Sequence, residues 1–278
     1  MKPNRTRLKT QFAVRHARSI RLGIKDMFSV EDILDSWYSL HHPEAHQQTE
    51  VSTATTRDWA KIYINRVDTA RLNLALARLY ADAYTLGQDI TAYELARAIG
   101  LHKAAPSRKE LSNALKIDWD NWKPGNRAAA NLVRPPNALR NLLDSRGVTI
   151  QGINNTTLNR IGTRLADGLN DGVSRKEMAE LINEVLDDTE RALVIAGTEM
   201  SSAVVQASKE LYADSGVEQI EWLASNPCDD CQENADQSPI GIDEQWINGD
   251  PPVHPNCFCD IAPYVVDTQL LNEDQGDI

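Results

Sequence analysis

The sequence predicts a mainly α-helical protein, a multi-helix body followed by a small antiparallel β module near the C-terminus. Three observations carry this expectation. Apolar residues recur at helical spacing over most of the chain up to Asp214. Two short β-prone runs, 217–223 and 261–266, then break that pattern. Between and beside them sit all four cysteines of the chain, in the clusters Cys228-Asp229-Asp230-Cys231 and Cys257-Phe258-Cys259, with His254 next to the second. Two thiol clusters a few dozen residues apart have the spacing of a zinc knuckle.

The elements follow in order. Residues 10–28 predict a helix: Ala13, Ala17, Ile20, Ile24 and Met27 step along one face, and Arg15, Arg18, Arg21 and Lys25 form a basic stripe beside it. That stripe reads either as an arm touching DNA or an acidic partner, or as the solvated face of an ordinary amphipathic helix. A second helix spans 30–40 and ends at His41-His42-Pro43-Glu44; the polar, Thr-rich run 47–56 is a loop. The longest helical pattern covers 57–86. One stripe is Trp59, Ile62, Tyr63, Val67, Ala70, Leu74, Ala77, Ala81 and Tyr84; another is Leu72, Leu76, Leu79, Ala83 and Leu86. A helix apolar on two faces is expected between neighbours.

Thr91-x-x-Glu94 reads as a capping box opening a short helix stopped by Gly100, and Ser107-x-x-Glu110 as another. Residues 118–125, with Trp119 and Trp122, form a turn whose tryptophans pin it to the body. Helices are expected at 126–133 and 137–146, the latter closed by Gly147, with 148–150 as an extended link. Further helices cover 157–169, 174–186 behind the box Ser174-x-x-Glu177, and 189–214, ended by Gly216. The last carries Ala192, Ala196, Gly197, Ser201, Ser202, Ala203 and Ala207, small enough to admit a close neighbour. Glu199 among them suggests a structural pairing. The resulting domain reading is a basic helical arm at 1–28, a helical domain at 29–147, a second helical region at 148–216, the knuckle at 217–266 and an acidic tail at 267–278.

Five residues compete for a four-ligand metal site: Cys228, Cys231, His254, Cys257 and Cys259. Either His254 or Cys259 completes the set begun by the other three. Two disulfides, or four reduced thiols, are the competing readings. The β module is too small to hold a core alone, so one structural Zn²⁺ would supply its missing stability.

Composition narrows the function. The net charge is −11. Lys2, Arg5, Arg7, Lys9, Arg15, Arg18, Arg21 and Lys25 crowd the N-terminus, whereas no Lys or Arg follows Lys209. Duplex affinity comes mainly from phosphate neutralisation, so the acidic knuckle is not expected to bind DNA. No apolar run is long enough for a membrane span, and the N-terminus lacks the apolar segment of a signal peptide, so a cytoplasmic chain with reduced thiols is expected.

Trp222, Cys228-x-x-Cys231, Gly241 and Pro252-x-His254-Pro255-x-Cys257-x-Cys259 resemble the C-terminal signature of the phage Mu protein F-like family, the minor head or head-morphogenesis proteins of tailed bacteriophages. The run Ala192-Leu193-Val194-Ile195-Ala196-Gly197-Thr198-Glu199 is similar to that family's preceding helix, and the resemblance covers roughly 150–266. Gly197 and Phe258 stand where the family usually has Arg. The resemblance implies a structural, non-enzymatic minor capsid protein bound to the portal inside the head, acting in head morphogenesis, with DNA packaging or ejection as further roles. Implied partners are the portal protein, then the major capsid or scaffolding protein; the basic stripe of Arg15, Arg18, Arg21 and Lys25 adds a weak DNA contact, and no membrane is expected. The protein would be made in the host cytoplasm and lodge in the capsid interior near the portal vertex.

The alternative is a zinc-dependent, deaminase-like hydrolase, because His42-Pro43-Glu44 and Pro227-Cys228-x-x-Cys231 echo the zinc-deaminase pair. Those motifs are separated by a long helical region, and His254 and Cys257 would be left without a role. A P-loop, G-x-S-x-G, H-E-x-x-H and G-x-G-x-x-G are all missing from the sequence. The expectation is therefore a protein that works by binding.

Overall fold

The computed structural model describes residues 4–41, 59–60, 63–101 and 122–264. It is mainly helical, with one small three-stranded antiparallel sheet near the C-terminus. The helices are α1 (Arg5–Asp26), α2 (Val30–His41), α3 (Ala70–Leu101), α4 (Gly125–Val133), α5 (Asn137–Asn170), α6 (Arg175–Leu186), α7 (Thr189–Asp214) and α8 (Asp229–Gln237). The strands are β1 (Gln219–Leu223), β2 (Ile240–Gly241) and β3 (Asp260–Pro263). The chain divides into two compact units, one of residues 1–12, 81–139 and 197–278, the other of 13–80 and 140–196. The chain passes from one to the other inside α1, α3, α5 and α7.

The second of these units is an all-helical core. Ile20 and Ile24 of α1, Ile33 and Trp37 of α2, Leu72 and Leu76 of α3, Ile161 and Leu165 of α5, and Met178 and Ile182 of α6 are all buried. Trp59 meets Trp37 edge-on at 5.6 Å, stacks on Tyr63 at 5.4 Å, and donates its indole N–H to Ser36 Oγ at 2.9 Å. The expected capping box at Ser174 forms: its side chain accepts from the Glu177 amide while Glu177 accepts from the Ser174 amide. Of the basic stripe, Arg21 and Lys25 reach Asp187 at 3.0 and 3.6 Å, while Arg15 and Arg18 are exposed.

Besides the start of α1, which lies at Arg5 and not at residue 10, three expected helix boundaries are corrected. The pattern across 57–86 is interrupted: Ile64–Arg66 is a 3₁₀ turn, Val67 is extended, and α3 starts at Ala70, whose amide is taken by Asp68 Oδ1 at 2.9 Å. Asp68 is thus a start signal that the continuous apolar stripe conceals. Both stripes contribute buried residues, Trp59, Tyr63, Ala81 and Tyr84 of the first and Leu72, Leu76, Leu79, Ala83 and Leu86 of the second, whereas Leu74 of the first is 51% exposed. The second correction is Thr91-x-x-Glu94, which does not cap a new helix; α3 continues to Leu101, and the buried Thr91 hydroxyl meets Ser208 Oγ at 2.8 Å. Third, Gly147 and 148–150 lie inside α5, which joins two expected helices into one. The expected features at 42–56, Ser107-x-x-Glu110, Trp119 and the 267–278 tail lie outside the described residues.

The unit that holds the sheet starts from a close helix contact. A Cβ built on Gly87 of α3 would lie 2.7 Å from the Val204 carbonyl oxygen and 2.8 Å from Ala207 Cβ, so α7 presents its small residues where α3 has none. Gly87→Ala is therefore expected to destabilise the protein by about 1–3 kcal/mol, because backbone must move to admit the methyl group. Urea unfolding followed by circular dichroism checks this, and an unchanged midpoint would refute the close-packing account. Asp89 nearby accepts from the Trp122 indole at 2.7 Å and from both terminal nitrogens of Arg127, which anchors the segment that opens α4. Trp122 thereby fulfils the pinning role expected of it.

Helix α7 ends where Gly216 takes a φ of +77°, and the Val217 amide bonds back to the Tyr212 carbonyl at 3.0 Å, closing the helix end. β1 follows and sits at the centre of the sheet, with Ile220 opposite Ile240 of β2 and Trp222 opposite Ile261 of β3. Trp222 meets Trp246 edge-on at 5.2 Å, and both pack with Val205, Tyr212, Ile220, Ile240, Ile261 and three of the cysteines in one cluster.

Candidate metal centre

The first cysteine pair rides on a helix start. After β1, Asn226 takes a left-handed φ of +51°, Pro227 follows, and Cys228 stands at the N-cap of α8. Cys231 lies in the first turn, so the C-x-x-C spacing places both sulfurs on one side of the helix. Asp229 and Asp230 complement the positive helix start.

The second cluster hangs from a tight turn. The Cys257 amide bonds to the His254 carbonyl at 3.2 Å, with Asn256 at a φ of +62°. The Asn256 amide donates to Thr198 Oγ1 of α7 at 3.0 Å, so the turn carrying His254 and Cys257 is tied to the Thr198-Glu199 motif. Past the turn, Cys257 and Cys259 are both buried, their sulfurs within 4.8 Å of each other, before β3 begins at Asp260. The buried Asn234 of α8 pins the intervening loop by donating to the Gly249 carbonyl and accepting from the Asn248 amide. The sequence alone singles out neither Thr198 nor Asn234 for this role.

All five expected residues come together, in two groups that share Cys231. Cys228, Cys231 and His254 form one group, and Cys231, Cys257 and Cys259 the other; within each, the ligand atoms lie within 4.8 Å of one another. Cys231 Sγ is 3.5 Å from His254 Nε2 and 3.7 Å from Cys257 Sγ. A zinc ion at about 2.3 Å from sulfur and about 2.0–2.1 Å from nitrogen, bound tetrahedrally, sets S···N near 3.6 Å and S···S near 3.8 Å. Both separations from Cys231 fit, with Cys228 and His254 in one group and Cys257 in the other. His254 Nδ1 faces the Pro255 carbonyl oxygen at 2.9 Å, which leaves Nε2 toward the thiols. Cys259 Sγ also accepts the Ser225 amide at 3.4 Å.

The electrostatics favour an uneven sharing of protons. The Cys259 thiol beside it holds Cys257 down at about 5, while burial pushes Cys231 up to about 12. The neighbouring Cys257 raises Cys259, and burial adds to that. At the helix start, the Cys231 amide lowers the exposed Cys228. The Pro255 carbonyl raises His254. The downward shift at Cys257 is in the direction of the thiolate, the form that a soft-ligand metal requires.

Behind the thiols lies a buried ion cluster that sequence reading misses. Lys9 Nζ reaches Asp260 Oδ2 at 2.8 Å and donates to the Cys259 carbonyl at 3.1 Å. Arg5 reaches Asp260 Oδ1 at 2.7 Å, pairs with Glu94, and donates to Tyr212 Oη at 3.2 Å. Burial works against the Asp260 charge, but Arg5 and Lys9 hold its carboxyl below the usual range. By sequence, Arg5 and Lys9 are simply two more charges of the basic N-terminus. The available signal is spacing: Arg5, Lys9, Phe12 and Ala13 continue the inner face of α1 by steps of four and three.

The deaminase-like alternative places its His42 and Glu44 outside the described residues. Among the described residues, no helix is long and apolar enough to cross a membrane.

Residues 159–262 match the family model described as Phage Mu protein F like protein. The matched stretch begins within α5 and runs through β1, α8 and the second thiol cluster into β3, so the chain contains a phage Mu protein F-like region. No curated protein and no solved structure gives a significant match.

Proposed function

We propose that this chain, with its phage Mu protein F-like region at 159–262, is a structural minor head protein of a tailed bacteriophage. The observation that carries this reading is that the family match ends on the thiol cluster and the strand behind it. In this reading the protein works by binding. It associates with the portal inside the head during head morphogenesis, and a role in DNA packaging or ejection follows from that position. The helical surface supplies the contact, because the knuckle is acidic and its tryptophans Trp222 and Trp246 are buried, with Ile247 and Tyr264 its exposed large apolar residues. Contact with the major capsid or scaffolding protein is secondary. Any weak DNA contact falls to the basic stripe of Arg15, Arg18, Arg21 and Lys25, of which Arg21 and Lys25 also reach Asp187.

A single structural Zn²⁺ belongs to the same proposal. Cys231, shared by the two groups, holds it with Cys228 and Cys257, and His254 is taken as the fourth ligand because its Nε2 meets Cys231 at tetrahedral separation. Cys259 then lies beside the ion as a thiol that hydrogen-bonds Cys257. The metal supplies rigidity and no chemistry. With four ligands in place, no coordination position remains for substrate.

Co-expression with the portal protein of the same phage tests the function. Co-purification with the portal oligomer is expected, together with about one zinc per chain by elemental analysis, as a four-ligand site requires. Substitutions on the helical surface that leave the cysteines intact should weaken portal association. Failure to associate under any tested condition, or particles of normal number and infectivity without the protein, would remove the head-assembly reading.

A further inference from the structure

Lys9 is fully buried at the end of a polar cluster that joins the N-terminal turns of α1 to the strand leaving the second thiol cluster. A lysine ammonium taken out of water needs compensation from every side. Here it comes from Asp260 and from the Cys259 carbonyl, both on the segment that carries the thiols. Arg5, one helical turn earlier, shares Asp260 and is held from the opposite side by Glu94 of α3 and Tyr212 of α7. The hydroxyls of Thr6 and Ser225 meet at 3.3 Å nearby. The N-terminal turns therefore rest on residues 259 and 260, whose own position depends on the fold of the thiol cluster.

We propose that the Arg5–Lys9–Asp260 cluster is a latch through which metal occupancy of the thiol centre controls docking of the N-terminal turns of α1. This rests on the metal reading above. With the ion bound, Cys257 and Cys259 hold residue 260 in the position that both cations need. When the ion leaves, the segment carrying the carboxylate and the Cys259 carbonyl loosens, Lys9 loses both of its compensating groups, and the lower-energy state hydrates it by undocking the helix end. The device couples a terminal segment, free to meet a partner once released, to the integrity of the centre. Coupling runs both ways, so loss of the latch should also weaken metal retention.

Hydrogen exchange on the full chain, zinc-loaded and after removal of zinc by EDTA, tests the proposal. Amides of residues 8–12 should exchange about tenfold faster or more after chelation, alongside opening of 219–263, while the α2 core residues 33–37 stay protected. The latch is overturned if 219–263 opens and 8–12 keeps its protection; the metal reading survives that result. If the purified chain holds no zinc and EDTA changes nothing, the metal reading fails and the latch fails with it. Lys9→Met gives a second arm, because it keeps side-chain bulk and leaves Asp260 paired with Arg5. Transfer of zinc from this variant to a chromogenic chelator should be about tenfold faster than from the natural chain, the scale on which outer-shell partners affect metal affinity. Equal transfer rates at equal zinc content would overturn the proposal.

Discussion

Cys231→Ala is expected to abolish zinc retention and to unfold residues 219–263 while leaving the α1–α2–α6 core intact. Cys231 is the residue common to both ligand groups and is fully buried, whereas Cys228 is exposed at the helix start. Its sulfur lies 3.5 Å from His254 Nε2 and 3.7 Å from Cys257 Sγ, so its loss separates the two halves of the centre. The sheet has three strands, one of only two residues, and its apolar cluster includes this cysteine together with Cys257 and Cys259. Structural zinc contributes about 10–16 kcal/mol in comparable small modules, far more than such a core can replace. Elemental analysis should fall from about one zinc per chain to near none, given a four-ligand site. Hydrogen exchange should show β1 and β3 open, with residues 33–37 unchanged. Full zinc content in Cys231→Ala would remove Cys231 from the ligand set and refute the assignment.

Legibility from sequence follows the range of the interactions involved. α1, α2, α6 and α7 are readable because their apolar spacing and local signals, such as the Ser174 box and Gly216, act within a few residues. The clustering of the cysteines is readable for a different reason: they are few, and their spacing brings them together whatever the surrounding fold. The start of α3 is misplaced because an apolar stripe runs unbroken across Val67–Thr69, where Asp68 starts the helix instead. Thr91 looks like a cap only because its hydroxyl's partner, Ser208, lies 117 positions away. The same distance effect conceals the latch. Lys9 and the Cys259 carbonyl are 250 positions apart, and no local pattern distinguishes a buried lysine from a solvated one when its partner is that remote. Thr198 can be found only as part of a family motif, since nothing in its own neighbourhood predicts that it holds the turn at Asn256.

Asp260→Ala is expected to be the most damaging change outside the cysteines. The carboxylate is buried and meets two cations, Lys9 at 2.8 Å and Arg5 at 2.7 Å. Arg5 retains Glu94 and Tyr212 when Asp260 is lost, but Lys9 retains only the Cys259 carbonyl among its described partners. Removing one side of a buried pair costs about 3–5 kcal/mol, because the remaining charge stays out of water without compensation. The pair itself is worth much less than that, so its two halves should not behave additively. Lys9→Met combined with Asp260→Asn leaves no uncompensated full charge, since the amide oxygen introduced at position 260 can still accept from Arg5. The double variant should therefore recover a large part of the stability that Asp260→Ala loses. Urea denaturation of the zinc-loaded proteins, followed by circular dichroism, measures both. Wild-type stability in Asp260→Ala would mean that the cluster is hydrated and contributes little. A double variant as unstable as the sum of its two single changes would mean that packing around residues 9 and 260, not charge compensation, sets the cost.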